Sequence, residues 1–364
     1  MATDPQGLAL DYRPPLPRNR EMGIGIVGAG EIVQAAHLPA YRLAGFKVVG
    51  IYDVDRAKAE AVAERFGIGR AYRTLDELAR DDDVAVVDIA VPARHQYAVL
   101  ERVLSTKRNV LCQKPLAETF DAARRTVDLC RSAGARAAVN QQMRWAPSVA
   151  ALRSLLDRGW LGTPLQMTIQ VNVRTPWDHW PWLTDLPGME FMYHSIHYMD
   201  SIRYLLGTPT ILFADSAKLP GQPWAADTRT TTVLRFAGET RALIADNHMN
   251  FATEDDWYAT FRLEGTEGIA KGTNGALYDY PNGREDTLTF FSRVVHPDYW
   301  FTPRLEGKWF PHAFMGSMGE LMRAIEAERE PSNSVEDNLA TLRMVFAAMR
   351  SATEGRAVRL DEID

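Results

Sequence analysis

One segment of this 364-residue chain concentrates groups that can accept or hold protons. Set out at about 100° per residue, positions 190–206 place Tyr193, His194, His197, Asp200, Ser201 and Tyr204 along one side of a helix. Met192, Ser195, Ile196, Met199, Ile202 and Leu206 fall on the other. His197 stands one turn from Tyr193 and nearly one turn from Asp200, so a hydroxyl or a carboxylate could fix its tautomer. A neutral imidazole needs little adjustment to act as a general base near pH 7. His194 could instead be half of a metal site, but no set of Asp, Glu, His or Cys completes tetrahedral ligation, and no metal is expected. Capped surface histidines are the plainer alternative. Just upstream, Trp177-Asp178-His179-Trp180-Pro181-Trp182 packs three of nine tryptophans into six residues. Indole faces stack on carbohydrate C–H faces while Asp178 and His179 offer hydrogen bonds; the same cluster could equally anchor a loop.

A second constellation is built to bind rather than to react. An apolar run ending at Val27 passes into Gly28-Ala29-Gly30, and a helix is expected from Glu31. Gly28 permits the tight turn and Gly30 lets backbone approach a pyrophosphate lying at the helix N-terminus. Val33 occupies the place of the usual third glycine. The next strand ends in Asp53, twenty-five residues after Gly28 against about 20 in the dinucleotide fingerprint. That carboxylate suits an adenosine ribose and repels a 2′-phosphate, so NAD is expected in preference to NADP, with Arg56 the nearest cation.

These groups need a scaffold, and the pattern supplies two. Strands at Gly23–Val27, Lys47–Tyr52, Val84–Ile89, Asn109–Cys112 and Ala137–Val139 alternate with helices at Arg56–Phe66, from Thr74 (a capping box with Glu77), His95–Leu104 and Thr119–Cys130. This predicts an α/β Rossmann domain with a doubly wound parallel sheet over 22–146. After Pro147 come a helix at Ser148–Leu156 and strands at Leu165–Val171 and Thr230–Phe236. Further strands near 241–249, 258–264, 268–271 and 287–291, with helices at 190–206, 313–328 and 335–353, predict an α+β domain over 147–364 with a large, mostly antiparallel open sheet. Residues 1–21, with Pro5, Pro14, Pro15 and Pro17, predict an extended arm or a loose tail.

The formal charge of −6, with no Lys/Arg run, gives no attraction for nucleic acid or anionic membranes. No apolar stretch reaches the roughly 18 residues of a membrane span. Two cysteines, Cys112 and Cys130, and no signal-peptide core in the first 21 residues lead to a reducing, cytoplasmic setting as the expectation.

The chain resembles the glucose-fructose oxidoreductase, inositol dehydrogenase and rhizopine catabolism family, Gfo/Idh/MocA, over nearly its whole length. The resemblance rests on Gly25–Gly30 with His37-Leu-Pro39, Ile89-Ala-Val-Pro92 with His95, Val110-Leu-Cys-Gln-Lys-Pro115, Arg144 with Pro147, His197 with Asp200, Trp309-Phe-Pro311 with Phe314, and Ser334–Asn338. It implies oxidation of sugars, polyols or related alcohols with NAD or NADP, and homodimers or homotetramers formed through the open sheet face. By this resemblance the cofactor lies along Gly28, Gly30, Glu31, Ile32, Asp53, Val91, Pro92, His95, Gln113, Lys114 and Gln142. Lys114 is the lysine placed beside nicotinamide and substrate, and Arg144, Trp177, Asp178, Trp180, His194, His197 and His312 are candidates to touch substrate. Gln113 stands where the family has Glu, and Tyr193 where it has the Asp commonly paired with the catalytic histidine. His197 is the expected base, with Lys114 polarising the oxygen or relaying the proton and Tyr193 and His194 beside them. Loss of the carboxylate at 113 would let the Lys114 pKa fall. The leading reading is an aldose oxidised to its lactone. Oxidation of a glycoside ring hydroxyl, or a lyase or glycosidase with transient redox, are the alternatives; Lys114 and His197 argue against a cofactor sensor.

Overall fold

The computed structural model describes residues 8–275, 278 and 282–364. It divides into two compact units. The first comprises 14–142 and 310–340; the second comprises 8–13, 143–309 and 341–364.

The first unit is a six-stranded sheet of β1 (Ile24–Val27), β2 (Val48–Tyr52), β3 (Arg70–Ala71), β4 (Val86–Ile89), β5 (Asn109–Cys112) and β6 (Ala137–Val139). Every neighbouring pair is parallel and the order is β3-β2-β1-β4-β5-β6. β1, β4 and β6 are buried along their whole length, which is why they read as continuous apolar runs. Helices α1 (Leu38–Ala44), α2 (Arg56–Phe66), α3 (Leu75–Arg80), α4 (Ala93–Leu104) and α5 (Phe120–Ala133) connect them. Their starts are chemically marked. Asp55 accepts from the Lys58 N–H, Thr74 from Glu77 and Thr119 from Ala122. The expected capping box at Thr74 closes one residue further out, because the Glu77 carboxylate takes the Arg73 N–H rather than that of Thr74.

The second unit opens with α6 (Pro147–Asp157) and carries a nine-stranded sheet: β7 (Pro164–Asn172), then α7 (Ile196–Leu206), then β8 (Ile211–Ala217), β9 (Arg229–Arg235), β10 (Arg241–Asn247), β11 (Tyr258–Gly265), β12 (Gly268–Thr273), β13 (Thr287–Ser292), β14 (His296–Phe301) and β15 (Val358–Arg359). The order is β14-β13-β12-β11-β7-β10-β9-β8-β15, antiparallel throughout except for the β7–β10 pair. Alternate residues of β9, β10 and β11 are buried, and α6 and α7 pack on this sheet.

Two boundaries differ from the sequence reading. The changeover falls at 142/143 rather than 146/147, and α8 (Phe314–Glu326) returns to the first unit, packing on α1, β5 and β6. α9 (Val335–Glu354) begins in the first unit and ends in the second. A reading that runs along the chain has no signal for a segment that goes back. The described residues of the arm carry no regular element and are tied down by side chains. The Asp11 N–H is held by Ser154 Oγ, Arg13 by Glu306 at 2.9 Å, and the Arg18 and Asn19 N–H groups by Glu326. Among the described residues no helix is long and apolar enough to cross a membrane.

Candidate functional site

In the first unit, β1 runs into Gly28, whose N–H donates to Tyr52 O at 2.8 Å and whose φ of 105° suits only glycine. A Cβ there would lie 2.5 Å from Ala90 O. At Gly30 a Cβ would meet nothing within 4 Å, so that side of the turn is open space. Asp53, at the end of β2, accepts the Ala29 N–H on Oδ2 at 2.7 Å and the Asp55 N–H on Oδ1 at 2.9 Å. It therefore braces the turn and still has lone pairs for a ribose. Val33 is fully buried and opens a π-turn, Val33–His37, in place of a close glycine contact. Glu31, Ile32, Val91, Pro92 and Gln113 are half-buried, Gln142 is buried, and His95 is exposed on the first turn of α4. An open cradle at Gly30, a helix start and a carboxylate at the second strand's end fit a dinucleotide.

Lys114 follows β5 across a cis bond to Pro115. It keeps partial solvent contact, yet protein surrounds it closely enough that burial lowers its pKa from 10.5 to about 7. Burial, rather than the missing carboxylate at 113, is the cause. The Gln113 side chain faces a buried network. The His37 Nδ1–H donates to Asp88 Oδ2 at 2.6 Å, Tyr41 donates to the same oxygen, and the amides of Gln113 and Asn140 donate to His37 Nε2 at 3.1 and 3.2 Å. This network orients the His37 ring between Asp88 and the two amides. Gln113 Oε1 accepts the Lys114 N–H at 2.8 Å, and Gln96 Nε2 donates to Gln113 O and Pro115 O. Burial and the Asp88 carboxylate push the Tyr41 hydroxyl well up. Asp88, Tyr41, Asn140 and Gln96 went unread in the sequence; an acid inside the apolar run Val84–Ile89 was the available signal.

In the second unit a π-turn, Phe191–Ser195, precedes α7. His197 is buried with its ring edge-on to Trp309 at 5.2 Å, and Tyr193 is buried edge-on to Trp182 at 5.5 Å. Asp200 does not orient His197. Its carboxylate takes Arg144 Nε and Nη2 at 2.7 Å each and Thr341 Oγ1 at 2.6 Å, with Arg203 at 3.7 Å. Arg144, expected to touch substrate, commits both those nitrogens to this buried pair and acts through it. Along the polar stripe Tyr193, His197, Asp200 and Ser201 are buried, and His194 and Tyr204 are half-buried.

His194 turns to a different set. Its Nδ1 lies 2.9 Å from Glu190 Oε2, and the other carboxylate oxygen meets His248 Nδ1. These three residues bring potential ligand atoms within 4.8 Å of one another, where the sequence had supplied no third partner. His248 follows β10, far along the chain, so helix spacing could not reveal it. Burial alone would raise the Glu190 carboxyl, but the imidazoles of His248 and His194 outweigh it and hold its pKa at about 2. Asp246 nearby is pushed up to about 7 by burial and by the Glu190 charge.

The tryptophan run divides. Trp177 is buried, its indole N–H directed to His248 O at 3.3 Å, so it anchors the loop and offers no face to a sugar. Trp180 is half-buried and Asp178 exposed. His312, half-buried, lies in the first unit rather than the domain expected for it.

Residues 22–141 match the model described as an oxidoreductase family with an NAD-binding Rossmann fold, and 149–271 match the GFO/IDH/MocA C-terminal domain. The chain is 27% identical to a D-apiose dehydrogenase of Paraburkholderia graminis, covering 93% of this chain and 90% of that protein. It is 26% identical to a D-xylose 1-dehydrogenase (NADP(+)) of Haloferax volcanii, covering 93% and 100%. Its fold matches that of an oxidoreductase from Agrobacterium radiobacter solved with NAD+, L-tartaric acid and magnesium, with a TM-score of 0.80 at 22% identity over 94% and 100% of the two chains.

Proposed function

Because this chain belongs to the Gfo/Idh/MocA oxidoreductases and its relatives include proteins named as sugar dehydrogenases, we propose that it is an NAD-dependent dehydrogenase of a sugar or sugar-derived alcohol, by preference an aldose oxidised to its lactone. The observation that carries the reading is Lys114, a lysine beyond the end of β5 whose proton is held with a pKa of about 7. Bound nicotinamide supplies the two-electron acceptor for the carbinol hydride. His197 takes the hydroxyl proton, the step for which a positioned base contributes roughly 10² to 10⁴ in rate. Lys114, as an ammonium, donates a hydrogen bond to the substrate oxygen or relays the proton onward. Tyr193 offers a hydroxyl one turn before His197, and Asp178, Trp180 and His312 are further candidates for substrate contact.

NAD is preferred over NADP. A 2′-phosphate at the end of β2 would meet the Asp53 carboxylate, and Arg56, the nearest cation in sequence, holds Glu60 at 2.6 Å. The test is an NADH-absorbance screen with NAD and NADP against aldoses, inositols, glycosides and sugar acids. Turnover of an aldose with higher kcat/KM for NAD is expected. Turnover of none overturns the dehydrogenase reading, and faster turnover with NADP overturns the role of Asp53.

A further inference from the structure

Two marks of the sequence, His37-Leu-Pro39 and Phe314, have no part in the reaction described above, and both lead to the residue before Lys114. His37 is fully buried in the first unit, its ring 5.2 Å from that of Phe314 and edge-on to Tyr41 at 6.0 Å. Both of its nitrogens are engaged. Nδ1 lies 2.6 Å from Asp88 Oδ2, and Nε2 lies 3.1 Å from Gln113 Nε2 and 3.2 Å from Asn140 Nδ2. Asp88, Gln96 and Asn140 are at most 1% exposed. They come from β4, α4 and the end of β6, and with the turn before α1 they converge on the loop that follows β5.

Gln113 is where this network meets Lys114. A backbone N–H can only donate, so the Gln113 atom 2.8 Å from the Lys114 N–H is the amide oxygen. That leaves the Nε2 end of the amide for His37. Gln96 donates to Gln113 O at 2.8 Å and to Pro115 O at 2.9 Å, and so clamps the main chain on both sides of Lys114. The titratable groups joined to the network are Asp88, His37 and Tyr41, with Cys112 at the end of β5; burial pushes the Tyr41 hydroxyl and the Cys112 thiol well up, so both stay uncharged. Burial is also what lowers the Lys114 pKa. The Asp88 carboxylate therefore reaches Lys114 through position and not through its field.

We propose that His37 and Gln113 are positioning residues for Lys114: Asp88 fixes the His37 ring, the ring holds the Gln113 amide, and the amide oxygen holds the Lys114 main chain so that its ammonium meets the substrate oxygen. This rests on the reading of Lys114 as the group that polarises that oxygen or relays its proton. A displacement of about 1 Å caused by a change away from the reacting atoms can cost about 10²-fold in rate.

Two measurements test this, one of them without substrate. Lys114 keeps partial solvent contact, so its amine can be labelled. In competitive acetylation with acetic anhydride, read by peptide mass spectrometry as a function of pH, wild-type Lys114 should label with a midpoint near 7. In Gln113→Ala the lysine is no longer held in its buried place, and the midpoint should rise by about one pH unit or more. With NAD and the best substrate among D-xylose, D-glucose and myo-inositol, Q113A should lower kcat about 30-fold or more while KM changes less than about threefold. The alkaline limb of its kcat/KM profile should move up together with the labelling midpoint. His37→Phe, which keeps a ring against Phe314, should do the same. Because the two residues act in series, the double variant should lose no more than about twofold beyond the worse single one. A merely structural role would reduce the amount of folded enzyme and leave midpoint and limb where they are in the wild type; that result overturns the proposal, as do additive losses in the double variant. Should H37F fail to fold, Q113A, whose side chain is half-buried, carries both readouts. Absence of turnover on all three sugars counts against the dehydrogenase reading, and the labelling midpoint of Q113A then decides the role of Gln113.

Discussion

Lys114 sets the pH behaviour. Its folded pKa of about 7 lies below the ordinary 10.5, so the ammonium that we propose polarises the substrate oxygen is present below about 7 and lost as pH rises through it. The kcat/KM profile should accordingly fall about tenfold per pH unit on its alkaline side, with the limb near 7. Lys114→Arg, which stays charged, should move that limb out of range, and Lys114→Ala should lose roughly 10²- to 10⁴-fold in rate. The same shift has a stability consequence of fixed sign. Between about 7 and 10.5 the unfolded chain binds more protons than the folded one, so the cost of burying this lysine is full below 7 and fades as pH rises. Lys114→Met should therefore raise the melting temperature at about pH 6, gain less at about pH 9, and abolish turnover. A gain independent of pH would mean that something other than the buried charge is being relieved. Lys114, His197 and Asp53 stood out in the sequence because each belongs to a local motif. Glu190, His248, Asp88 and Gln96 did not, because what marks them is the distant partner each one meets.

At the scale of elements, the nucleotide turn and α7 make opposite demands. Gly28 and Gly30 look equivalent in sequence but differ in what a methyl would meet. Gly28→Ala is strained by φ 105° and by Ala90 O, and should lower the melting temperature. Gly30→Ala enters open space and should fold normally while losing affinity for NADH, measured by fluorescence titration. Equal melting losses in the two would refute this division. On α7 the pair Asp200–Arg144 is nearly wholly buried, 1% and 4% exposed. Removing one partner of such a pair leaves an uncompensated buried charge, so Asp200→Ala should cost about 3–5 kcal/mol in urea unfolding. An effect below about 1 kcal/mol would mean that Arg144 is solvated some other way. Regular elements with strong alternation or helical period were legible; β8 and β14 were not. Ile211-Leu-Phe-Ala-Asp-Ser-Ala217 dilutes its apolar face with Asp and Ser, and His296-Pro-Asp-Tyr-Trp-Phe301, the sheet's edge strand, carries a proline at its second position.

For the molecule as a whole, the informative surface is the face of the nine-stranded sheet turned away from α6 and α7. Register places Phe213 beside Val233 and Val233 beside Leu243, three apolar side chains in a row across β8, β9 and β10. Phe213 is 44% and Val233 45% exposed, while their strand neighbours Leu212, Ala214, Thr232 and Leu234 are buried. A sheet that packs helices on one face and carries an apolar row on the other is suited to stacking against a second sheet about 10 Å away. We therefore expect a homodimer or homotetramer through this face, in a closed arrangement where the row meets its own copy. Val233→Lys places like charges directly opposite one another in such an assembly, and light scattering after gel filtration should find the variant dissociated at micromolar concentration. Its cofactor turn lies in the other unit, so NADH affinity should be unchanged. A variant that retains the wild-type mass would locate the subunit contact elsewhere, and loss of NADH affinity together with dissociation would mean that assembly also supports the nucleotide site.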